Sequence, residues 1–328
     1  MPVPPPPSAR PRPRRLAAPR LTPRSAPTQG RPGARAPRAH NAPYYRLETT
    51  AGRYFVKRFK RFTPNADRGL DLAVFLHRRG YPAVEVMLTV DAAPHVTHHG
   101  AAVALFEYLE LPVSTALGVG RATALGAALG ALHALAADFP PPLPETFLGH
   151  AEFAGRLAAV DPPAWMPAAV RDLIAAAQRA FPALAARPDQ PRGACHHEFG
   201  LEHTRFRGDA VAKVIDWDLV GDDYLFHDLG TTMTEAVGDD GIDFPALGAL
   251  LRGYDQRRPL TVWERAHLYE ALRYGACKYL TWSLEDEVPA GPAIPGWALG
   301  GIGTAAAVLT LGKTGFDHAL RPWFPSAP

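Results

Sequence analysis

The sequence predicts an α+β chain in which a small antiparallel sheet with one helix precedes a larger, mostly helical body. Three observations predict it. Residues 44–48 and 53–59 are runs of aromatic and β-branched residues joined by Thr49-Thr50-Ala51-Gly52, and such a pair about a glycine-containing turn folds as a hairpin. Pro64-Asn65-Ala66-Asp67 then opens a segment with Leu70, Ala73, Val74 and Leu76 at helical spacing. After Pro112 the chain turns to helix-forming stretches rich in Ala and Leu.

In chain order, Gly80 ends the first helix, and residues 84–90 and 102–109 form two further strands. Helices follow over 122–136 and 167–180, the second opened by Pro167 and closed by Pro182. Residues 195–216 form a compact loop and hairpin. Helices over 247–254, 261–285 and 303–311 complete the body, with Thr261 and Glu264 as a capping box and 289–295 as the last connecting loop. No internal repeat is present.

The 328 residues suffice for one large domain or two lobes. Residues 1–40 hold nine Arg, twelve Pro and no acid, and the remainder holds 26 basic and 32 acidic side chains. So little apolar surface in the first 40 residues predicts a disordered arm. Nucleic acid would be contacted only through residues 1–40, and the absence of interleaved aromatics weighs against it. Cys195 and Cys277 form no disulfide framework or metal-ligand spacing and read as reduced thiols of a cytoplasmic protein. No apolar stretch reaches the ~18 residues of a membrane span, so no membrane partner is expected, and the N-terminus lacks the apolar core of a secretory signal. The oligomeric state is not readable from sequence.

Phosphoryl transfer from ATP needs a Lys on the phosphates, oxygen ligands for a divalent metal, and a carboxylate to orient the acceptor hydroxyl. The sequence offers Lys57 at the end of Tyr54-Phe55-Val56-Lys57, Glu198 within His196-His197-Glu198-Phe199, and Asp216 where Val214-Ile215 delivers Asp216-Trp217-Asp218. Each also has a structural reading. Lys57 fits a solvated strand charge, Asp216 an Asx turn, Glu198 a solvated loop acid, and His196 and His203 donors to loop carbonyls. His95, His98 and His99 fall in an expected strand-to-strand loop without consistent ligand geometry.

Residues 195–229 resemble the catalytic-loop and metal-loop core of the aminoglycoside phosphotransferase and homoserine kinase-like (choline kinase-like) family. That core reads His-Gly-Asp-x-x-x-x-Asn, a short hairpin, then Ile-Asp-Trp. His196, Phe206 and Ile215-Asp216-Trp217 match it without a gap, and Gly221-Asp222-Asp223 and Asp228-Leu229 resemble later elements. Gly52-x-Tyr54-x-Val56-Lys57 looks like the family's lysine strand, and Phe106-Glu107-Tyr108-Leu109 like its inter-lobe hinge. Gly253-Tyr254, Arg258-Pro259-Leu260-Thr261 and Glu264-Arg265 resemble its helical region. The resemblance implies a protein-kinase-like bilobal fold, with a nucleotide-binding lobe over 41–111 and a helical lobe over 112–328. It implies ATP and Mg²⁺ or Mn²⁺ as cofactors, and a hydroxyl of a small molecule as acceptor. Glu198 would be catalytic, Lys57, Glu107 and Tyr108 would meet the nucleotide, and Asp216 and His203 the metal. Asp228 would brace the catalytic loop.

The departures carry chemistry too. Glu198 stands where the family has Asp, His203 where it has Asn, and His197, expected to be exposed, where it has Gly. Imidazole suits Mn²⁺ better than Mg²⁺, which prefers hard oxygen ligands. Gly69 lies near the place of a helix Glu that would pair with the strand Lys. The strand before the hairpin is expected to be missing, as is a phosphate-covering loop around Gly33 and Asn41. These changes define a second reading, a catalytically impaired pseudokinase that binds nucleotide or a protein partner. Trp165, Tyr254, Tyr274, Tyr279 and Trp282 are candidates for the acceptor site or for core.

Overall fold

The computed structural model describes residues 20–23, 44–140, 143–185, 188–285 and 296–325. The expected hairpin is β2 (Tyr44–Thr49) and β3 (Gly52–Arg58), and it belongs to an antiparallel sheet with β1 (Arg20–Pro23), β4 (Val96–His98) and β5 (Ala101–Glu107) in the order β1-β2-β3-β5-β4. Helix α1 (Pro64–Arg78) starts where its signals place it. Thr63 caps it by accepting from the Ala66 N–H, and Gly80 follows its end in a left-handed turn, φ 78°. Its apolar face, Leu70, Leu72, Ala73 and Leu76, is buried.

Two expectations about this region are corrected. The strand expected to be missing is supplied from within the Arg/Pro-rich arm, where Arg20–Pro23 pairs with residues 45–48. Backbone pairing needs no apolar side chains, and at the sheet edge the missing N–H of Pro23 is tolerated. Gly33 and Asn41 lie outside the described residues. Residues 84–90 are not a strand of the sheet. The Val84 N–H donates to Val214 O and the Met87 N–H to Leu105 O, so the segment passes from one partner to another before a ladder forms. The strand beside β5 is β4, which carries His98; the three histidines therefore do not share one loop.

The helical body contains α2 (Val119–Ala136), α3 (His150–Ala158), α4 (Ala168–Ala180), α5 (Leu225–Met233), α6 (Phe244–Arg257), α7 (Val262–Ala266), α8 (Leu268–Glu285) and α9 (Gly296–Leu320). The expected helix over 261–285 is two helices, broken at His267, with the Thr261–Glu264 capping box formed. Helix α9 is broken at Gly312, and residues 289–295 lie outside the described residues. Three short ladders interrupt the helices: β6 (Arg192–Cys195) with β9 (Gly221–Tyr224), the hairpin β7 (Thr204–Arg207) with β8 (Ala210–Val214), and β10 (Val237–Gly238) with β11 (Gly241–Ile242).

Helices α2 and α6 pack at backbone distance. A Cβ on Gly126 would stand 1.9 Å from Leu250 O, and one on Gly253 2.1 Å from Thr123 O. Contrary to the expectation of no span-like stretch, α2 is long and apolar enough to cross a bilayer, yet Leu125, Leu129 and Leu132 are buried in the main core. That core is continuous with the sheet side through α1, Ala104 and Phe106, and a second cluster around Phe153, Ile174, Phe181, Tyr274 and Leu280 lies between α3, α4 and α8. Tyr254 and Tyr274 are core residues, fully buried.

Candidate active site

Lys57 lies on β3 between β2 and β5, opposite Ala104, and is buried. Its ammonium donates to Asp216 Oδ1 at 2.7 Å and also pairs with Asp218. Burial opposes its charge, but the two carboxylates outweigh burial and raise its pKa. Asp216 is held below the usual carboxylate range, because Lys57 and then His203 outweigh its burial. Asp218 is pushed up to about 6 by burial and by the charge of Asp216.

Asp218 is the residue beside Lys57 that sequence reasoning did not single out. A Cβ on Gly69 would lie 1.9 Å from Trp217 O, so α1 docks directly on the Ile-Asp-Trp segment with no room there for a Glu. The second carboxylate on Lys57 comes instead from Asp218. The signal was the missing helix acid, since a buried Lys requires counter-charge from some other element.

The loop after β6 begins at His196, whose Nε2 donates to Ile215 O at 3.1 Å, as the structural reading of that residue expected. His197 is corrected: it is buried, not exposed, with φ 67°. Its left-handed backbone is the conformation glycine takes most easily. Asp228, on α5, accepts from the His196 N–H at 2.8 Å and the His197 N–H at 2.8 Å, and so braces the loop.

Glu198, His203 and Asp216 converge. One donor atom from each lies within 4.8 Å of the other two. Hairpin β7–β8 makes this possible by carrying the chain from His203 back to Ile215, whose N–H donates to His203 O at 2.9 Å. His203 Nδ1 donates to Glu198 O at 2.8 Å, which leaves Nε2 aimed at the carboxylates, 3.6 Å from Asp216 Oδ2. Burial opposes charge on this ring, but Glu198 and then Asp216 raise its pKa above the ordinary value.

The donor set fits a divalent metal. Ligands bonded at about 2.1 Å lie at most about 4.2 Å apart, so the three need close by less than an ångström. A ligating His with its other ring nitrogen on a backbone carbonyl is also the usual way such a ring is fixed. Glu198, Asp216 and Asp218 outnumber Lys57, which leaves the face acidic.

The hinge residues sit at the end of β5. The Glu107 N–H donates to Glu85 O, and its carboxylate accepts from the Glu85 N–H at 2.7 Å and pairs with Lys213. Glu107 and Tyr108 both border a cavity of about 710 Å³ lined also by Arg53, Leu109, Leu111, Arg207 and Lys213, within the size range of small-molecule sites. Lys57 and Asp216 are not in its lining. His95, His98 and His99 are not members of the Glu198–His203–Asp216 cluster, and His95 lies 3.5 Å from Asp67.

Residues 34–269 match the phosphotransferase enzyme family. A homoserine kinase of Gluconacetobacter diazotrophicus is 30% identical over 256 residues, covering 76% of this chain and 79% of that one. A homoserine kinase of a Caulobacter species is 27% identical over 269 residues, covering 76% and 79%. Among solved structures, an amicoumacin kinase in complex with AMP-PNP and Ca²⁺ superposes with a TM-score of 0.65 at 13% identity, over 88% of each chain. A microcompartment-associated aminopropanol kinase gives 0.59 at 16% identity, over 86% of this chain and 92% of the other. The matched span contains the lysine strand, the loop over 196–203 and the Ile-Asp-Trp turn, and the chain belongs to the phosphotransferase enzyme family.

Proposed function

We propose that this protein transfers the γ-phosphoryl group of ATP to a hydroxyl of a small molecule, with homoserine or another amino alcohol as the acceptor to test first. The observation that carries this reading is the convergence of Glu198, His203 and Asp216 beside Lys57. The relatives' names support the acceptor class, because those matches extend over about three quarters of the chain.

In this reading Lys57 holds the α/β-phosphates and Tyr108 borders the adenine. Glu198 orients the acceptor hydroxyl and takes its proton as the bond to phosphorus forms. Glu reaches about 1.5 Å further than the family's Asp, and misplacement on that scale costs about 100-fold. The hydrogen bond from His203 to Glu198 O closes the loop and fixes the backbone from which the longer side chain reaches. Asp216 and His203 would hold a divalent metal, which would neutralise charge on the transferring phosphates. With an imidazole in that set, Mn²⁺ is favoured over Mg²⁺. Residues 41–111 serve as the nucleotide lobe and 112–328 as the acceptor lobe, and two buried free thiols, Cys195 and Cys277, fit a reducing cytoplasm.

The second reading, a pseudokinase, is favoured by the same two substitutions. A thermal-shift titration with ATP and Mn²⁺ or Mg²⁺, run beside an ATP-consumption assay over amino alcohols and aminoglycosides, separates the two. Stabilisation with acceptor-dependent consumption is expected. Stabilisation without consumption by any acceptor would overturn the transferase reading in favour of the pseudokinase.

A further inference from the structure

Behind the loop over 196–203, Asp228 is the end of a longer buried chain. Its Oδ2 accepts from His133 Nε2, on α2, at 3.1 Å. His133 Nδ1 lies 2.7 Å from Tyr254 Oη, on α6. Tyr254 Oη accepts from Arg258 Nη1 at 2.9 Å, and the same nitrogen donates to Glu264 Oε1 at 2.9 Å. Glu264 Oε2 accepts from the Thr261 N–H at 2.8 Å, closing the capping box of α7. Asp228, His133, Tyr254 and Glu264 are all buried, and Arg258 is mostly so.

The direction of every bond follows from chemistry. Arginine only donates and a carboxylate only accepts. Tyr254 Oη therefore accepts from Arg258, and with His133 a neutral ring it gives its own proton to His133 Nδ1. His133 then carries its proton on Nε2 and gives it to Asp228. This is a neutral ring, and burial, offset only in part by Asp228, holds its pKa below the ordinary value. Of the two neutral tautomers, only the one with its proton on Nε2 donates to Asp228 and leaves Nδ1 to accept from Tyr254. The helices that carry the chain are also fixed against each other, since Gly126 and Gly253 hold α2 and α6 at backbone contact.

We infer that Tyr254 and His133 are positioning residues for phosphoryl transfer: together they fix the Asp228 carboxylate, which in turn sets the backbone of His196 and His197 and hence the place of Glu198. Neither touches substrate. The inference rests on the catalytic role given to the loop above. It extends that role to a chain that reaches the α6–α7 corner, where Arg258-Pro259-Leu260-Thr261 and Glu264 had no assigned use.

The test pairs Tyr254→Phe, which keeps the ring and removes only the proton donor, with His133→Gln and His133→Leu. The amide of Gln offers an NH₂ to donate to Asp228 and an oxygen to accept from Tyr254, and Leu offers neither. Amide hydrogen exchange on the full chain reads the effect without reference to activity. Tyr254→Phe and His133→Leu are expected to speed exchange at the His196 and His197 N–H groups about tenfold or more while α8 is unchanged. They should lower kcat about 10- to 100-fold, with KM for ATP little changed. His133→Gln should restore most of both. Unchanged exchange at 196–197 would overturn the inference. So would faster exchange spread evenly over α2, α6 and the loop, with Gln no better than Leu, since that is loss of packing. If the wild type transfers no phosphate, the exchange measurement still decides the inference while the transferase reading fails separately.

Discussion

The front of the loop over 196–203 gathers Glu198, His203 and Asp216 next to Asp218 and Lys57, with carboxylates in excess. Its rear is Asp228, whose two oxygens take three donors and are buried. Both faces hold carboxylates a few ångströms from histidines, but the surroundings differ. At the rear each charge is matched by fixed hydrogen bonds, so Asp228 is stable as an anion and needs nothing from solution. At the front the acids compete for one Lys, and Asp218 is pushed up to about 6. A carboxylate cluster left short of positive charge and open to solvent is suited to a cation, whereas a satisfied one is suited to holding a loop still.

The contrast can be broken by exchanging what each face loses. Asp216→Asn removes the front's central ligand and should lower turnover about 10³-fold or more, with little change in melting temperature. Glu198→Gln should lower kcat about 10²- to 10⁴-fold and leave nucleotide affinity nearly intact, measured by titration calorimetry with ATP. Asp228→Asn should act on stability instead. Its amide can turn a donor towards a His196 or His197 N–H group, and each buried donor left without an acceptor costs about 1–3 kcal/mol. A fall of several degrees in melting temperature is expected, and its absence would remove the rear face from the account. His203→Asn restores a hard ligand, and the ratio of Mn²⁺- to Mg²⁺-supported turnover should fall by about tenfold towards unity.

The smallest effect is in acid. His197 is lowered to about 3 by burial and by nearby Lys278, and His196 and His133 are lowered as well. The unfolded chain takes up these protons near pH 6.5 while the native chain does not. Stability is therefore full above about 6.5 and falls as pH drops towards 3, by at most about 1.4 kcal/mol per pH unit for His197. His203 has the opposite sign: its raised pKa adds stability below about 6.5, and this is lost as pH rises through the folded value. His197→Asn, which tolerates the left-handed backbone, should flatten the acid slope of thermal melts between pH 4 and 6. An unchanged slope would count against a buried neutral ring.

Much of the fold was legible in the sequence where the signal is local. The hairpin about Gly52, the start of α1 at Pro64 and the Thr261–Glu264 cap all follow from neighbouring residues. Strand β1 and the segment over 84–90 were misread because their form depends on distant backbone partners, residues 45–48 in one case and Val214 and Leu105 in the other. The site divides in the same way. The resemblance of residues 195–229 to the family's loop pointed to Glu198, His203 and Asp216, which lie within one loop and hairpin and converge in the structure. Asp218 on Lys57 and the burial of His197 both arise from packing by other elements, α1 through Gly69 in the first case and α8 through Lys278 in the second. Asp228 as a brace was readable, but its continuation to His133, 95 positions away in sequence, was not.

The central claim is that the acidic front of this loop transfers phosphate, and ³¹P NMR of ATP with Mn²⁺-activated enzyme and the best acceptor of the screen, quenched and stripped of metal before acquisition, tests it most directly. The account predicts that a phosphomonoester resonance grows as the γ-phosphate resonance disappears, and that Asp216→Asn abolishes both changes. Growth of the phosphomonoester at an undiminished rate in Asp216→Asn would contradict it.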